Sequence, residues 1–103
     1  MELSEAQKQV DKLIQSYGGY WEPLSMLARL TEETGELARA LNIKYGGKKS
    51  KSDGDGREIR KELADVIVTI LAIANKEEIN ATEALSEKLK IDHEKCKGVY
   101  DKK

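Results

Sequence analysis

Two short acidic pairs, Glu33-x-x-Glu36 and Glu62-x-x-Asp65, are the residues of this chain best suited to chemistry. The second pair opens a strongly apolar run, Leu63–Ala74, whose own polar members are Asp65 and Thr69. An ionised carboxylate in such a run is costly unless something positive compensates it. Four carboxylates converging on one spot call for a hard divalent cation, Mg²⁺ first and Mn²⁺ second. The expected chemistry is metal-dependent and acts on a phosphorylated substrate.

The pairs can converge only if the elements carrying them do. Residues three apart on a helix share a face, so each pair presents both of its carboxylates to one side. Glu33 falls at the edge of an apolar stripe made by Leu24, Leu27, Leu30, Leu37, Ala38 and Leu41, with Glu36 further out on the same side. Glu62 and Asp65 flank the apolar face of the next helix. Antiparallel packing of the two helices brings both pairs into one cleft. A Glu-x-x-Glu pair is ordinarily just a solvated face. Here the apolar setting of the second pair, the placement on consecutive helices and the additional acid Glu32 argue for a site. A ferritin-like di-iron centre needs Glu-x-x-His motifs, and the only histidine, His93, lies far from either pair.

Four helices account for the chain. The first is expected over about Glu5–Ser16, with Ser4 and Gln7 as a capping box and Gly18-Gly19 as its stop. The second runs from Pro23, a residue suited to a first helical turn, to about Tyr45, before Gly46-Gly47. A polar, glycine-rich loop, GGKKSKSDGDG, fills positions 46–56. The third helix covers about Arg57–Lys76 and is apolar around much of its circumference, so it should lie centrally or at a subunit interface. Asn80 and Glu83 form a second capping box, opening a fourth helix to about Lys97, with Gly98 as its C′ residue. No alternating, strand-like pattern competes. The expected fold class is all-α, a four-helix bundle-like subunit assembling into a helical homo-oligomer.

The 103 residues suffice for one domain spanning 1–103 and one core. Charged residues make up 36% of the chain and aromatic residues 5%, with no Phe, so the core must be aliphatic. A formal net charge of −1, with no basic face interleaved with aromatics, excludes a general nucleic-acid binder. The single Cys96 excludes an internal disulfide and fits a reducing cytosol. No basic and apolar leader opens the chain, and the longest apolar run is too short to cross a bilayer. A cytoplasmic protein with no membrane partner is expected. Cys96 itself reads as a small buried apolar residue.

The string Glu32-Glu33-x-x-Glu36, followed after the loop by Glu62-x-x-Asp65, resembles the signature of the MazG-like, all-α nucleoside triphosphate pyrophosphohydrolases. The resemblance covers nearly the whole chain. Trp21-Glu-Pro-Leu24 is similar to the family's entry into the first acidic helix. Ala74-Asn75-Lys76 resembles the polar end that follows the second pair. Lys88, Asp92 and Lys95 fall roughly where the family places Lys, Asn and Arg near the triphosphate and base, with Asp92 departing from the usual Asn. The resemblance implies hydrolysis of a nucleoside triphosphate between its α and β phosphates, to the monophosphate and pyrophosphate. It implies Glu33, Glu36, Glu62 and Asp65 as Mg²⁺ ligands, and Glu32 as an outer group or the residue orienting the attacking water. It also implies a homodimer or homotetramer whose site is lined by more than one subunit.

Cations for a phosphate cradle are Lys44, Lys48, Lys49, Lys51 and Arg57 around the loop, and Lys76, Lys88 and Lys95 later. Against this, Lys44 and Lys76 stand in last turns of helices, where the dipole favours a cation anyway. The Lys48–Lys51 run is either a lid or a solvated loop. Trp21 and Tyr20 are candidates to stack on a base, although aromatics this scarce more often pack a junction, here that between the first two helices. Two alternatives stand beside the leading function: a phosphoribosyl-ATP pyrophosphohydrolase, and a non-catalytic helical oligomerisation module.

Overall fold

The structure, a computed structural model, describes residues 1–46 and 57–100. Four helices run in order, α1 (Leu3–Ser16), α2 (Pro23–Tyr45), α3 (Arg57–Lys76) and α4 (Ala81–Tyr100), and no strand occurs among the described residues. The limits of α2 and α3 coincide with those read from sequence.

The first helix begins earlier than expected. Glu2 is its N-cap residue and makes no side-chain cap bond, so Ser4 sits inside the helix. Gln7 does not reach back to cap it because its amide is engaged far along the chain. Its Nε2 donates to Asn75 Oδ1 (3.0 Å) and to the Ile79 carbonyl (2.9 Å), while its Oε1 accepts from the Ala81 N–H (2.8 Å). Asn75 Nδ2 returns a bond to the Gln7 carbonyl (2.9 Å). These bonds fasten α1 to the turn between α3 and α4. At the far end of α1, Gly18 and Gly19 have φ of 104° and 108°. Gly18 N–H donates to the Gln15 carbonyl and Gly19 N–H to that of Ile14, the Schellman pattern that residues with a Cβ enter only with strain.

Helices α2 and α3 pack in antiparallel register. Met26 near the start of α2 meets Leu71 and Ala72 near the end of α3, and Val10 of α1 completes this buried cluster. Leu3, Ala6, Ile14, Tyr20, Ile73 and Ala81 pack around it. The core therefore lies where α1 crosses the first turns of α2 and the last turns of α3. The acidic pairs fall further along α2 and α3, beyond its edge.

Helix α4 opens on the expected cap, with Glu83 N–H donating to Asn80 Oδ1 at 3.0 Å. It then runs through Gly98 to Tyr100, so Gly98 is not its C′ residue. It packs on α1 and leaves Leu85, Leu89 and Ile91 at least half exposed. Cys96 is exposed on the same helix, contrary to the expectation of burial, because none of the described residues covers that stretch. The radius of gyration is 17.2 Å, against about 13 Å for a compact chain of this length.

Candidate active site

One turn of α2 and one turn of α3 bring three acids together. Carboxylate oxygens of Glu33, Glu62 and Asp65 lie within 4.8 Å of one another. Glu62 is 6% exposed, and Glu33 and Asp65 are partly exposed. Glu36 follows Glu33 by nearly one turn, is exposed and stands outside this cluster, as does the exposed Glu32. Three of the five acids singled out from sequence thus meet.

Two cations compensate them, and neither was among the site residues read from sequence. Arg29 Nε lies 3.1 Å from Glu33 Oε1. Lys61 Nζ lies 3.5 Å from Glu62 Oε1 and 4.0 Å from Asp65 Oδ2. The charges of Glu62 first, and of Asp65 second, hold the Lys61 ammonium above its ordinary pKa. The available signal was the i,i+4 spacing of Arg29 to Glu33 and Lys61 to Asp65, which places opposite charges side by side on a helix. The donor set is all carboxylate oxygen, without nitrogen or sulfur, and Asp65 keeps 43% of its side chain open to water. This suits a hard cation that retains waters and shares its remaining positions with phosphate.

A cavity of about 260 Å³ adjoins the cluster, lined mainly by Leu13, Ile14, Tyr17, Trp21, Met26 and Val68, with Arg29 and Thr69 toward the acids. Arg29 is one turn before Glu33, and Thr69 is one turn after Asp65 on the antiparallel neighbour. Cavity and cluster are therefore about 6 Å apart along both helices. The Thr69 hydroxyl is spent on the Asp65 carbonyl (3.0 Å), which leaves its methyl for the wall. Trp21 is 52% exposed and its ring lies 5.2 Å from the Arg29 guanidinium carbon. The junction of α1 and α2 is filled instead by Tyr20, whose hydroxyl donates to Asp11 Oδ1 (2.5 Å). Burial, and then the Asp11 bond, push the Tyr20 hydroxyl up to about 12.

The remaining candidates stand apart. Lys44 is exposed with its ammonium over the Tyr45 ring at 5.2 Å. Lys76 is exposed at the end of α3. On α4, Lys88 Nζ pairs with Asp92 Oδ1 at 2.9 Å, and Lys95 and His93 are exposed. None of these lines the cavity or joins the acidic cluster. Lys48, Lys49, Lys51 and the Arg57 side chain lie outside what is described, as does most of the loop considered as a lid.

Fold and site together define an all-α protein that sets a carboxylate cluster beside an apolar cavity. Residues 21–97 match the MazG nucleotide pyrophosphohydrolase domain, and the chain belongs to that family. It is 41% identical over 83 residues to YpjD of Bacillus subtilis (strain 168), a protein of uncharacterised function, covering 80% of this chain and 75% of the relative. Among solved structures it resembles YPJD from Bacillus subtilis, a candidate pyrophosphatase, with TM-score 0.79 and 38% identity over 86% of this chain and 92% of that one. It also resembles the Bacillus-conserved MazG protein, a nucleotide pyrophosphohydrolase, with TM-score 0.76 and 37% identity over 87% of each chain. Pyrophosphatase chemistry, hydrolysis of a phosphorus-containing anhydride, is the function these findings support. No helix among the described residues is long and apolar enough to cross a membrane.

Proposed function

We propose that this chain, acting as a single domain over residues 1–103, is a Mg²⁺-dependent nucleoside triphosphate pyrophosphohydrolase. It cleaves a ribo- or deoxynucleoside triphosphate between the α and β phosphates to the monophosphate and pyrophosphate, in nucleotide pool control or house-cleaning. One observation carries the reading: an oxygen-only cluster of Glu33, Glu62 and Asp65 stands one helical turn from an apolar, aromatic-edged cavity. A nucleotide has the same two halves, a polyanion and a flat ring, joined by a sugar.

Glu33, Glu62 and Asp65 would hold the cation, with the exposed Glu36 on the following turn of α2 as the fourth candidate ligand. A Mg²⁺ held there would supply charge neutralisation for the polyphosphate and orientation for hydrolytic attack. The exposed Glu32 carboxylate orients the attacking water and accepts its proton as the water oxygen bonds to one of the two bridged phosphorus atoms. The bond from that phosphorus to the α–β bridging oxygen breaks, its electron pair leaving with the departing phosphate product. Tyr17, Trp21 and the aliphatic wall receive the base and keep water from it. Lys44, Lys76, Lys88 and Lys95 offer charge to the outer phosphates, with Asp92 orienting Lys88.

The α4 cations serve a neighbouring subunit's site in a homodimer or homotetramer. That assembly is supported by Leu24, Leu27, Ile67, Ile70, Leu85 and Leu89, large apolar residues left between 45% and 78% exposed. The test is a panel of canonical and modified nucleotides with Mg²⁺, assayed for pyrophosphate. Release of pyrophosphate in equal amount to the monophosphate is expected. Orthophosphate as the product, or turnover of none of the panel, refutes the proposal.

A further inference from the structure

The geometry points to Arg29 as a two-position cation. It neutralises Glu33 in the absence of a divalent ion, and it moves to the substrate phosphate nearest the sugar when ion and nucleotide arrive. This rests on the function proposed above and adds a substrate-binding residue to it.

Among the described residues, Arg29 is the cation that belongs to both halves of the site. Its Nε lies 3.1 Å from Glu33 Oε1, and its guanidinium also lines the cavity above Trp21. Lys61 touches the cluster too, but its side chain is 72% exposed and it does not line the cavity. A ligand with its ring in the cavity and its outer phosphates at the carboxylates must pass its sugar and first phosphate across Arg29. The planar fork of a guanidinium matches two phosphate oxygens at once.

The pair with Glu33 cannot persist unchanged when a cation shares that carboxylate. The guanidinium would then face a double positive charge across a single pair of oxygens, so ion binding weakens the pair and frees the arginine. Its side chain is 48% exposed, so a change of rotamer can carry it from Glu33 toward the cavity. The Trp21 face gives it a favourable resting surface in either position. The same arrangement explains why a largely sheltered Glu33 is tolerated before the ion arrives.

The experiment uses the full chain, its Arg29→Gln variant and the charge-keeping Arg29→Lys. Mn²⁺ binding is followed by electron paramagnetic resonance without nucleotide, and kcat and KM are then measured on the best nucleotide of the panel. Arg29→Gln is expected to tighten Mn²⁺ binding by about two- to fivefold, the scale of a partly exposed ion pair. It should also raise KM roughly tenfold or more, as loss of a hydrogen bond to a charged group does. Arg29→Lys should restore Mn²⁺ affinity toward wild type while recovering only part of KM.

Unchanged Mn²⁺ affinity and KM in Arg29→Gln overturn the inference. So does weakened Mn²⁺ binding with a lowered melting temperature, the mark of a brace that merely positions Glu33. Wild-type protein that binds Mn²⁺ yet turns over no nucleotide removes the proposed function, and the Mn²⁺ comparison then still decides whether Arg29 competes for Glu33. Failure of the wild type to bind Mn²⁺ removes both.

Discussion

Replacing Glu62 by Gln removes one negative charge from the most buried point of the cluster with little change of shape. Glu62 is 6% exposed, and its carboxylate lies within 4.8 Å of that of Glu33, itself largely sheltered. At an effective dielectric of about 20, two unit charges at that separation repel by about 3.5 kcal/mol. The contribution from Asp65 is smaller because 43% of its side chain is in water. Arg29 and Lys61 offset part of the total, leaving a net gain of about 1–2 kcal/mol for the metal-free protein when the charge is removed. For a chain of this size that raises the melting temperature by about 4–15 °C. Mg²⁺ should stabilise the two proteins unequally. Wild type at a hundredfold excess over its Kd gains about 2.7 kcal/mol, whereas Glu62→Gln gains little. Thermal melts with and without Mg²⁺, at fixed protomer concentration, read both effects, and pyrophosphate release should fall with the loss of Mg²⁺ response. A Glu62→Gln protein that melts below wild type without metal, or that keeps the full Mg²⁺ shift, refutes the reasoning.

Asp65→Asn and Glu36→Gln should each abolish turnover with the fold retained by circular dichroism. Retained activity in Asp65→Asn breaks the assignment of the cluster, and in Glu36→Gln it removes Glu36 from the ligand set. Because folding raises the Tyr20 hydroxyl from 10.0 to about 12, the fold favours its neutral form. That contribution is complete below pH 10 and is lost as pH climbs to 12. Tyr20→Phe should lose about 1 kcal/mol at neutral pH and decline less steeply than wild type over pH 10–12 in urea titrations. Glu78 holds φ of 56° where α3 ends, and the Ile79 N–H bonds back to the Ala74 carbonyl in a Schellman turn. Glu78→Gly should therefore stabilise the protein by about 0.5–1 kcal/mol in chemical denaturation. Leu24→Glu and Leu89→Glu, at side chains 78% and 58% exposed, should reduce the mass seen by light scattering without loss of helix. A wild-type monomer at micromolar concentration argues against the proposed assembly.

The middle of the chain was the most legible part. Pro23 at one end of α2 and the glycine-rich, polar stretch after Tyr45 leave little freedom for its limits. The long apolar run of α3 marks a helix that packs on both α1 and α2 while Leu63, Ile67, Val68 and Ile70 stay 41–48% exposed. The misplaced limits are those judged from single residues. Ser4 and Gln7 have the spacing of a cap, but Gln7 has better partners 68 and more positions away. Gly98 has the type of a helix stop, yet α4 continues through it. Trp21 and Tyr20 illustrate the same limit. Adjacent in sequence and similar in character, they divide the roles of cavity edge and junction filler according to which ring the turn from Gly19 aims at Asp11.

The sequence by itself determined that the chain is helical and that Glu33, Glu62 and Asp65 sit on the core-side edges of consecutive helices. These are properties of 3.6-residue periodicity acting within one helix, and neighbours along a helix are known once its type is known. The tertiary structure alone decided that Glu33 meets Glu62 and Asp65 while Glu36 stays outside, and that Arg29 joins the acids to a cavity. Such meetings depend on the axial register of α2 against α3, which is set by Met26 seating on Leu71 and Ala72, a side-chain fit that spacing along the chain does not encode.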